Sequence, residues 1–478
     1  MSFLLTWCNG VQPAEENGLF VLNGPKGRLT LRDIEPEVIA ALHRLTPPGT
    51  DEDVLADSVG ALGPEALPRW LYYLDRLTRR GLIGRSAHES GTRLATLFAV
   101  SPTFAWKPVR PAPDRQYVLS RFAYLRREGT ESVVESPLSH ARIVLHDSRA
   151  AQLIGALASP TTPAELSERT GLTPEGATGL LALLLRAEMA QEAGAQPEDP
   201  DLRAWAFHDL LFHARSRKGR SDAPYGGTYR FAGEFPPPPA VKPIPTGERI
   251  ALFKPDIDAL EKADPPFAWV QEHRRSVREF DTTRPVTAAQ LGEFLFRVNR
   301  VKEQRETELK TVRGPVAMDF VSRPYPAGGS LYELEVYAAV SSCDGLAPGL
   351  YAHDPVAHRL IQVRGRGPAV DDLLADAAES TAIPAGELQV LVVLAARVPR
   401  VAWKYESIAY ALVLKHVGVV YQTMYLAATA MGLAGCAIGG GDADLFARAV
   451  GVPYAAETSV GEFLLGSKRD EPARSARE

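Results

Sequence analysis

The chain has 478 residues, of which 45% are hydrophobic and 23% are charged. This balance is typical of folded globular proteins, and the length predicts about three domains. The formal net charge of −5 excludes a general nucleic-acid-binding protein, which needs an excess of basic side chains to neutralise phosphates. The 3 cysteines lie far apart in the sequence and predict neither a disulfide framework nor a zinc site.

The chain carries no pattern typical of export or membrane insertion. Its first residues, MSFLLTWCNG, lack the basic leader and long apolar run of a signal peptide. The longest apolar stretch, residues 408–433, contains Lys415, His416 and Gln422 near its middle, which favours a buried helix over a membrane span. We therefore expect a cytoplasmic protein that does not bind membranes.

A helical pattern occurs twice in the N-terminal part and predicts two related modules, at residues 1–112 and 113–195. In each copy a first helix is followed by a short second helix and a longer third one. The predicted helices are Pro36–Leu45, Asp51–Val59, Pro64–Arg80, Ser148–Leu157, Pro163–Thr170 and Pro174–Ala187. Strand-like runs at 117–124, 132–135 and 141–145 precede the second copy. The order of elements is that of a winged helix-turn-helix.

Winged helices commonly bind DNA, but the charges of these modules argue against that function. From Asp147 to Glu188 the acidic residues outnumber the basic ones, so no basic recognition helix is present. The first module is more ambiguous, because several arginines lie on or just after its long helix. A solvated charged face explains those arginines better than a DNA contact does.

Residues 196–247 are predicted to form a connector. Prolines at 236–239, 243 and 245 favour an extended, semi-rigid course for its second half. Its first half contains the amphipathic helical segment Trp205–Phe212.

Beyond Ile250, helical and strand-like patterns alternate, which predicts a layered α+β or α/β domain over residues 248–478. The strand-like runs are Leu331–Val340, Gln389–Ala396 and Glu462–Leu465. Neither a glycine-rich dinucleotide fingerprint nor a P-loop occurs, which disfavours a Rossmann domain and a nucleotidase.

Three segments of this domain carry the most information: RRSVREF at Arg274–Phe280, RPYPAGGSLYELEVY at Arg323–Tyr337, and WKYESIAY at Trp403–Tyr410. Their order and spacing resemble the nitroreductase superfamily, and within it the SagB-type dehydrogenases, flavin enzymes that oxidise azoline rings in ribosomal peptides. The resemblance implies an α+β protein in which two winged-helix-like modules precede a nitroreductase-like FMN domain. It also implies that the N-terminal modules bind a peptide leader, although a structural appendage would have the same sequence.

The resemblance further implies which residues contact FMN. The RRSVREF segment, which we expect at a helix start, would hold the phosphate, the ribityl chain and the pyrimidine edge. Its candidate contacts are Arg274, Arg275, Ser276 and Arg278. An ordinary charged helix start is the structural alternative.

Two further segments and one basic residue complete the predicted cofactor site. The turn formed by Pro326, Ala327, Gly328 and Gly329 matches a family P-S-G-G turn, with alanine in place of the usual serine. In the glycine-rich loop 435–441 the predicted contacts are Ile438, Gly439 and Gly440, and near the C-terminus Lys468 is a candidate phosphate contact. A flexible turn is the alternative for the loop. Glu333 and Glu335, two apart on a predicted strand, are interpreted as structural or salt-bridged residues.

Lys404 and Tyr405 distinguish a SagB-type dehydrogenase from other nitroreductases. Converting a thiazoline or oxazoline to an azole removes a hydride and an acidic ring proton, so a general base is needed near the flavin. A desolvated lysine can serve as that base, and a tyrosine can relay or orient the proton. An ordinary dipeptide in a helix is the structural alternative.

We therefore predict an FMN-dependent oxidoreductase that forms azoles on a peptide or carrier-tethered substrate. The predicted protein is a homodimer with flavin at the subunit interface, works with a cyclodehydratase, and uses no metal and no nucleic acid. An NAD(P)H-dependent nitro- or quinone reductase is a second hypothesis, and a flavin-free leader-binding scaffold is a third.

Overall fold

The structure, a computed structural model, describes residues 2–24, 27–32, 34–194 and 199–469. The chain divides into two compact units, Met1–Ala223 and Pro224–Glu478. The division falls inside the predicted connector, so residues up to 223 belong to the first unit and residues 224–247 to the second. The separate boundary expected between the two N-terminal modules stays a prediction.

The helices of the first unit confirm the repeated helical pattern. They are α1 Pro36–His43, α2 Glu52–Gly60, α3 Ala66–Arg79, α4 Ser148–Ala156, α5 Pro163–Thr170, α6 Pro174–Arg186, α7 Pro200–Arg203 and α8 Phe207–Arg215. Local chemistry explains the start of α5, where Thr162 and Glu165 each accept a hydrogen bond from the other's backbone N–H. Its end is set by Gly171, which adopts a left-handed φ of 67°.

Among the described residues of the first unit, the strands form three antiparallel sheets. They are β1 Leu4–Trp7, β2 Gln12–Glu16, β3 Leu19–Gly24, β4 Gly27–Leu31, β5 Thr50–Asp51, β6 Ile83–Glu89, β7 Thr92–Ala99, β8 Tyr117–Leu119, β9 Tyr124–Glu128, β10 Glu131–Glu135, β11 Ala141–Leu145 and β12 Ala190–Glu192. The largest sheet has the order β5-β1-β6-β7-β11-β10-β9, and β2-β3-β4 and β12-β8 form the others. The winged-helix interpretation of this unit stays a prediction.

The second unit surrounds a seven-stranded antiparallel sheet of order β14-β19-β18-β17-β20-β23-β22. The strands of the unit are β13 Gly226–Gly227, β14 Arg249–Ala251, β15 Glu303–Thr311, β16 Gly314–Ser322, β17 Leu334–Val340, β18 Gly349–Asp354, β19 Arg359–Gly365, β20 Val390–Ala396, β21 Tyr405–Glu406, β22 Leu433–Ile438 and β23 Thr458–Ser467. Antiparallel pairing together with the helices gives an α+β fold, which confirms the predicted class.

Helices cover both faces of this sheet. The helices of the unit are α9 Ile257–Ala263, α10 Phe267–His273, α11 Ala288–Asn299, α12 Pro368–Thr381, α13 Val398–Lys404, α14 Ala409–Ala430 and α15 Ala443–Val450, and α11, α12, α14 and α15 pack on the sheet. Alternate residues of β20 enter two separate cores, one shared with α11 and α14 and the other with α12 and α15. Burial on both faces explains why β20 is a continuous apolar run in the sequence.

The long apolar segment forms α14, a helix of 22 residues. It is shorter than predicted, because Gly432 adopts a left-handed φ of 67° and Leu433 begins β22. Within the described ranges, no helix has both the length and the apolarity needed to cross a bilayer.

Candidate active site

The RRSVREF segment follows a helix, so the expectation that it starts one is wrong. Helix α10 ends at His273, and Arg274 has extended backbone angles, with φ −62° and ψ 121°. The segment then runs beside β22, where the Val277 N–H donates to the Gly435 carbonyl at 3.0 Å. Because no helix dipole points outward from this segment, its side chains must supply any attraction for an anion.

A cavity of about 470 Å³ opens beside this segment. Its lining includes the predicted residues Arg274, Arg275 and Lys468, together with Glu272 and Tyr425. The Arg274 guanidinium lies over the Tyr425 ring, 5.2 Å from its centroid. Cationic side chains next to an aromatic ring suit a phosphate that is attached to a larger organic group.

Tyr425 is a site residue that the sequence analysis missed. Its hydroxyl lies 2.7 Å from Ser276 Oγ and accepts a hydrogen bond from the Ala437 N–H at 2.8 Å. Ser276 is therefore held next to the end of β22, although it does not line the cavity, and neither does the exposed Arg278. We call Arg274, Ser276 and Tyr425 the Arg274 cluster. The sequence signal for Tyr425 is weak, because it is one of several polar side chains in a mainly apolar helix.

The predicted glycine-loop residues continue from this cluster. Ile438 is the buried last residue of β22, whereas Gly439 and Gly440 are exposed. A Cβ atom on either of these glycines would meet nothing within 4 Å, so their backbone faces open space. The close contact is at Gly441, where a Cβ would lie 2.5 Å from the Glu462 carboxyl carbon.

Glu462 is a second residue that the sequence analysis missed. Its side chain lies against the glycine loop and the residue is only 9% exposed. Burial raises the pKa of Glu462 to about 7, and the negative charge of Asp376 acts in the same direction. The loop is therefore packed against a carboxyl group that changes its charge near neutral pH.

Lys404 and Tyr405 lie at a junction between a helix and a strand, since α13 ends at Lys404 and β21 begins at Tyr405. The Lys404 ammonium lies among aromatic rings, 5.9 Å from the centroids of Tyr229 and Phe320 and 5.3 Å from that of Tyr405. Burial, and then the positive charge of Arg400, lowers the pKa of Lys404. Burial raises the pKa of Tyr405. Lys404 therefore loses its proton more readily than an exposed lysine would, whereas the Tyr405 phenol holds its proton more firmly than an exposed tyrosine would.

The predicted glycine turn contacts this pair directly. Gly329 has a φ of 62°, and a Cβ atom there would lie 2.5 Å from Lys404 Nζ and 2.7 Å from the Tyr405 hydroxyl. Only glycine allows this approach in this backbone conformation. Pro326 is exposed, and Ala327 packs partly against the core. We call Gly329, Lys404 and Tyr405 the Lys404 cluster.

The proline-rich segment 235–240 packs along α13 and is not a free linker. Arg397 donates to the Pro239 carbonyl at 2.7 Å, and the Tyr229 N–H donates to the Lys404 carbonyl at 3.1 Å. Part of the predicted connector therefore forms a wall beside the Lys404 cluster. The sequence suggested the stiffness of this segment but not its position.

Within one chain, the two clusters lie on different sides of α14. His416 contacts Gly328 in the glycine turn, and Tyr425 contacts Ser276. The two helix residues are nine positions apart, which is two and a half turns, or about 13 Å along the axis. They therefore project from opposite faces of α14.

Residues 272–467 match the nitroreductase family. Residues 117–222 match the cyanobactin oxidase ThcOx family, so a cyanobactin-oxidase-like segment precedes the part of the chain that matches the nitroreductase family. The combination identifies an oxidoreductase and supports a SagB-type azoline oxidase of natural-product biosynthesis.

Individual relatives match parts of the chain. A nitroreductase of Methanocaldococcus jannaschii is 28% identical over 193 residues, which cover 40% of this chain and 85% of that protein. A solved nitroreductase structure from Anabaena variabilis is 19% identical with a TM-score of 0.35, covering 53% of this chain and 45% of that one. One chain in the structure of the E. coli microcin synthetase McbBCD complex with truncated pro-MccB17 bound is 18% identical to this chain, with a TM-score of 0.34. The match covers 57% of this chain and 95% of the chain in the complex. This chain thus spans most of the Methanocaldococcus protein and of the microcin synthetase chain, and less than half of the Anabaena chain.

Proposed function

We propose that the chain is an FMN-dependent oxidoreductase that converts thiazoline or oxazoline rings to azoles on a peptide or carrier-tethered substrate. One observation carries the proposal: a glycine turn in a nitroreductase domain abuts a lysine–tyrosine pair whose lysine is partly desolvated. A nitro- or quinone reductase does not need a base of this kind, whereas azole formation does.

The residues of the Arg274 cluster and its cavity fit FMN. Arg274, Arg275 and Lys468 would hold the phosphate, since all three line the same cavity. The exposed backbone at Gly439 and Gly440 would let a flat ring approach without a side chain in the way. Bound FMN would supply the acceptor for the two electrons and the second hydrogen that leave the azoline ring.

The Lys404 cluster would handle the proton. Lys404 Nζ takes the acidic ring proton, and its lowered pKa keeps more of the amine neutral than an exposed lysine would have. Tyr405 keeps its own proton because burial raises its pKa, so it can donate a hydrogen bond and orient the substrate. The aromatic rings of Tyr229 and Phe320 limit the access of water to the base.

A homodimer with flavin between the subunits is part of the proposal. The two clusters lie on opposite faces of α14, so a second copy could bring its Lys404 cluster to the Arg274 cluster of the first. The exposed face of α14 suits packing against a second copy. Leu414 is 41% exposed and presents an apolar side chain, and the exposed Gly418 has no side chain and allows a close approach. Leader recognition by the first unit and a cyclodehydratase partner belong to the same proposal, and a cytoplasmic location stays a prediction.

The test is to purify the protein, record its absorption spectrum and assay it with a thiazoline-containing peptide. We expect the bands of oxidised flavin, and formation of thiazole with loss of two mass units per ring. Rapid bleaching by NADPH without peptide turnover would favour the reductase. A colourless protein that takes up no added FMN would favour the scaffold.

A further inference from the structure

The loop that begins with the glycine turn is held in an unfavourable backbone conformation. Gly329, Ser330 and Tyr332 have φ values of 62°, 55° and 46°. Serine and tyrosine rarely adopt left-handed angles, and such residues persist only where the surrounding structure holds them. The structure must therefore contain contacts that keep this loop in place.

His416 on α14 supplies two of those contacts. Its Nε2 accepts a hydrogen bond from the Gly328 N–H at 2.7 Å, and its Nδ1 lies 2.7 Å from Glu333 Oε1. Because Nε2 is an acceptor, the ring carries its hydrogen on Nδ1 and donates it to the carboxylate. One imidazole thus joins both ends of the loop, and it does so in a single tautomer.

Both members of this pair are enclosed. His416 is 5% exposed and Glu333 is 0% exposed. The Glu333 carbonyl accepts from the Arg397 N–H at 3.0 Å, which fixes the backbone of that residue. The second carboxylate oxygen of Glu333 has no hydrogen-bond partner among the described residues. The hydrogen bond from His416 is therefore the one that stabilises this buried carboxylate in the described part of the chain.

We propose that His416 and Glu333 are positioning residues that hold the Gly328–Gly329 turn against Lys404 and Tyr405. The turn limits where Lys404 Nζ can lie, because Gly329 is in close contact with both members of the catalytic pair. The hydrogen bonds of His416 within the described part of the chain go to Gly328 and Glu333, so it acts through the turn. This inference rests on the proposed role of Lys404 as the base.

Two variants of His416 separate the two hydrogen bonds. In His416→Gln the amide oxygen can take the place of Nε2 and still accept from the Gly328 N–H. In His416→Asn the amide nitrogen can take the place of Nδ1 and still donate to Glu333, but the acceptor for Gly328 is lost. Each variant removes one hydrogen bond, so a purely structural role predicts comparable losses of melting temperature and rate.

The measurements are kcat and KM for a thiazoline peptide, flavin content and melting temperature of the full-length protein. We expect His416→Gln to keep most of the wild-type kcat, and His416→Asn to lose at least about tenfold in kcat with KM little changed, because displaced catalytic groups lower the rate. Equal kcat values in the two variants, whether both are high or both fall along with the melting temperature, would overturn the inference.

A second pair of variants covers the case in which His416→Asn does not fold. Glu333→Gln keeps an acceptor for the Nδ1–H, whereas Glu333→Leu removes it and frees the ring to change tautomer. We expect a lower kcat only for Glu333→Leu, and equal rates in this pair would again contradict the inference. A wild-type protein that binds no FMN or fails to oxidise the peptide would instead refute the proposed function.

Discussion

Replacing Gly329 with alanine tests whether the glycine turn sets the position of the base. The new Cβ atom would lie 2.5 Å from Lys404 Nζ, whereas ordinary contacts begin at 3.4 Å, so the ammonium must retreat by close to 1 Å. A displacement of about 1 Å at a reacting group can lower the rate on the order of a hundredfold. The left-handed backbone would also cost the folded state about 1 kcal/mol.

We therefore expect Gly329→Ala to fold and keep its flavin while kcat falls by about ten- to a hundredfold. The assay is turnover of a thiazoline peptide at matched flavin content, with melting temperature as the measure of stability. Gly386→Ala is the matched control, because a Cβ at Gly386 meets nothing within 4 Å and the residue lies outside both clusters. A wild-type rate in Gly329→Ala would refute the idea that this turn limits where Lys404 can lie.

Three further predictions concern the base, the phosphate contact and the buried carboxyl group. Lys404→Ala and Tyr405→Phe should retain FMN but lose about a hundredfold to ten-thousandfold in azoline oxidation, and wild-type turnover in both variants would contradict the assignment. Arg274→Ala should weaken FMN binding by about ten- to a hundredfold, measured from flavin fluorescence, with Arg274→Lys intermediate; an unchanged dissociation constant would show that the phosphate lies elsewhere. Glu462 has its pKa raised from 4.5 to about 7 in the folded state, so the stability it contributes is present below pH 4.5 and is lost as the pH rises through 7. The free energy of unfolding of Glu462→Gln, measured with urea, should therefore rise relative to that of the wild type between pH 5 and pH 8, by about 3 kcal/mol at most. If the difference in free energy between the two proteins does not change with pH, the raised pKa is contradicted.

Short-range sequence signals are enough to place several helices and strands of this protein. Helix α5 begins and ends at the predicted residues, because its cap and its closing glycine are neighbours in the sequence. Strand β20 was recognisable as an apolar run because its two faces both pack into cores. The motif order likewise pointed to a nitroreductase-type oxidoreductase, which the family matches confirm.

Which of these residues come into contact depends on how distant segments of the chain fold together. Gly329 touches Lys404, 75 positions away, because their segments are attached to the neighbouring strands β17 and β20. His416 and Tyr425 make their contacts from two faces of one helix. Helical periodicity predicts that the two residues lie on different faces, but it does not predict which residues they contact. The RRSVREF segment was wrongly expected at a helix start, because its extended course depends on pairing with Gly435 in β22. Caps and periodicity act over a few residues, whereas these contacts depend on how distant segments pack around the sheet.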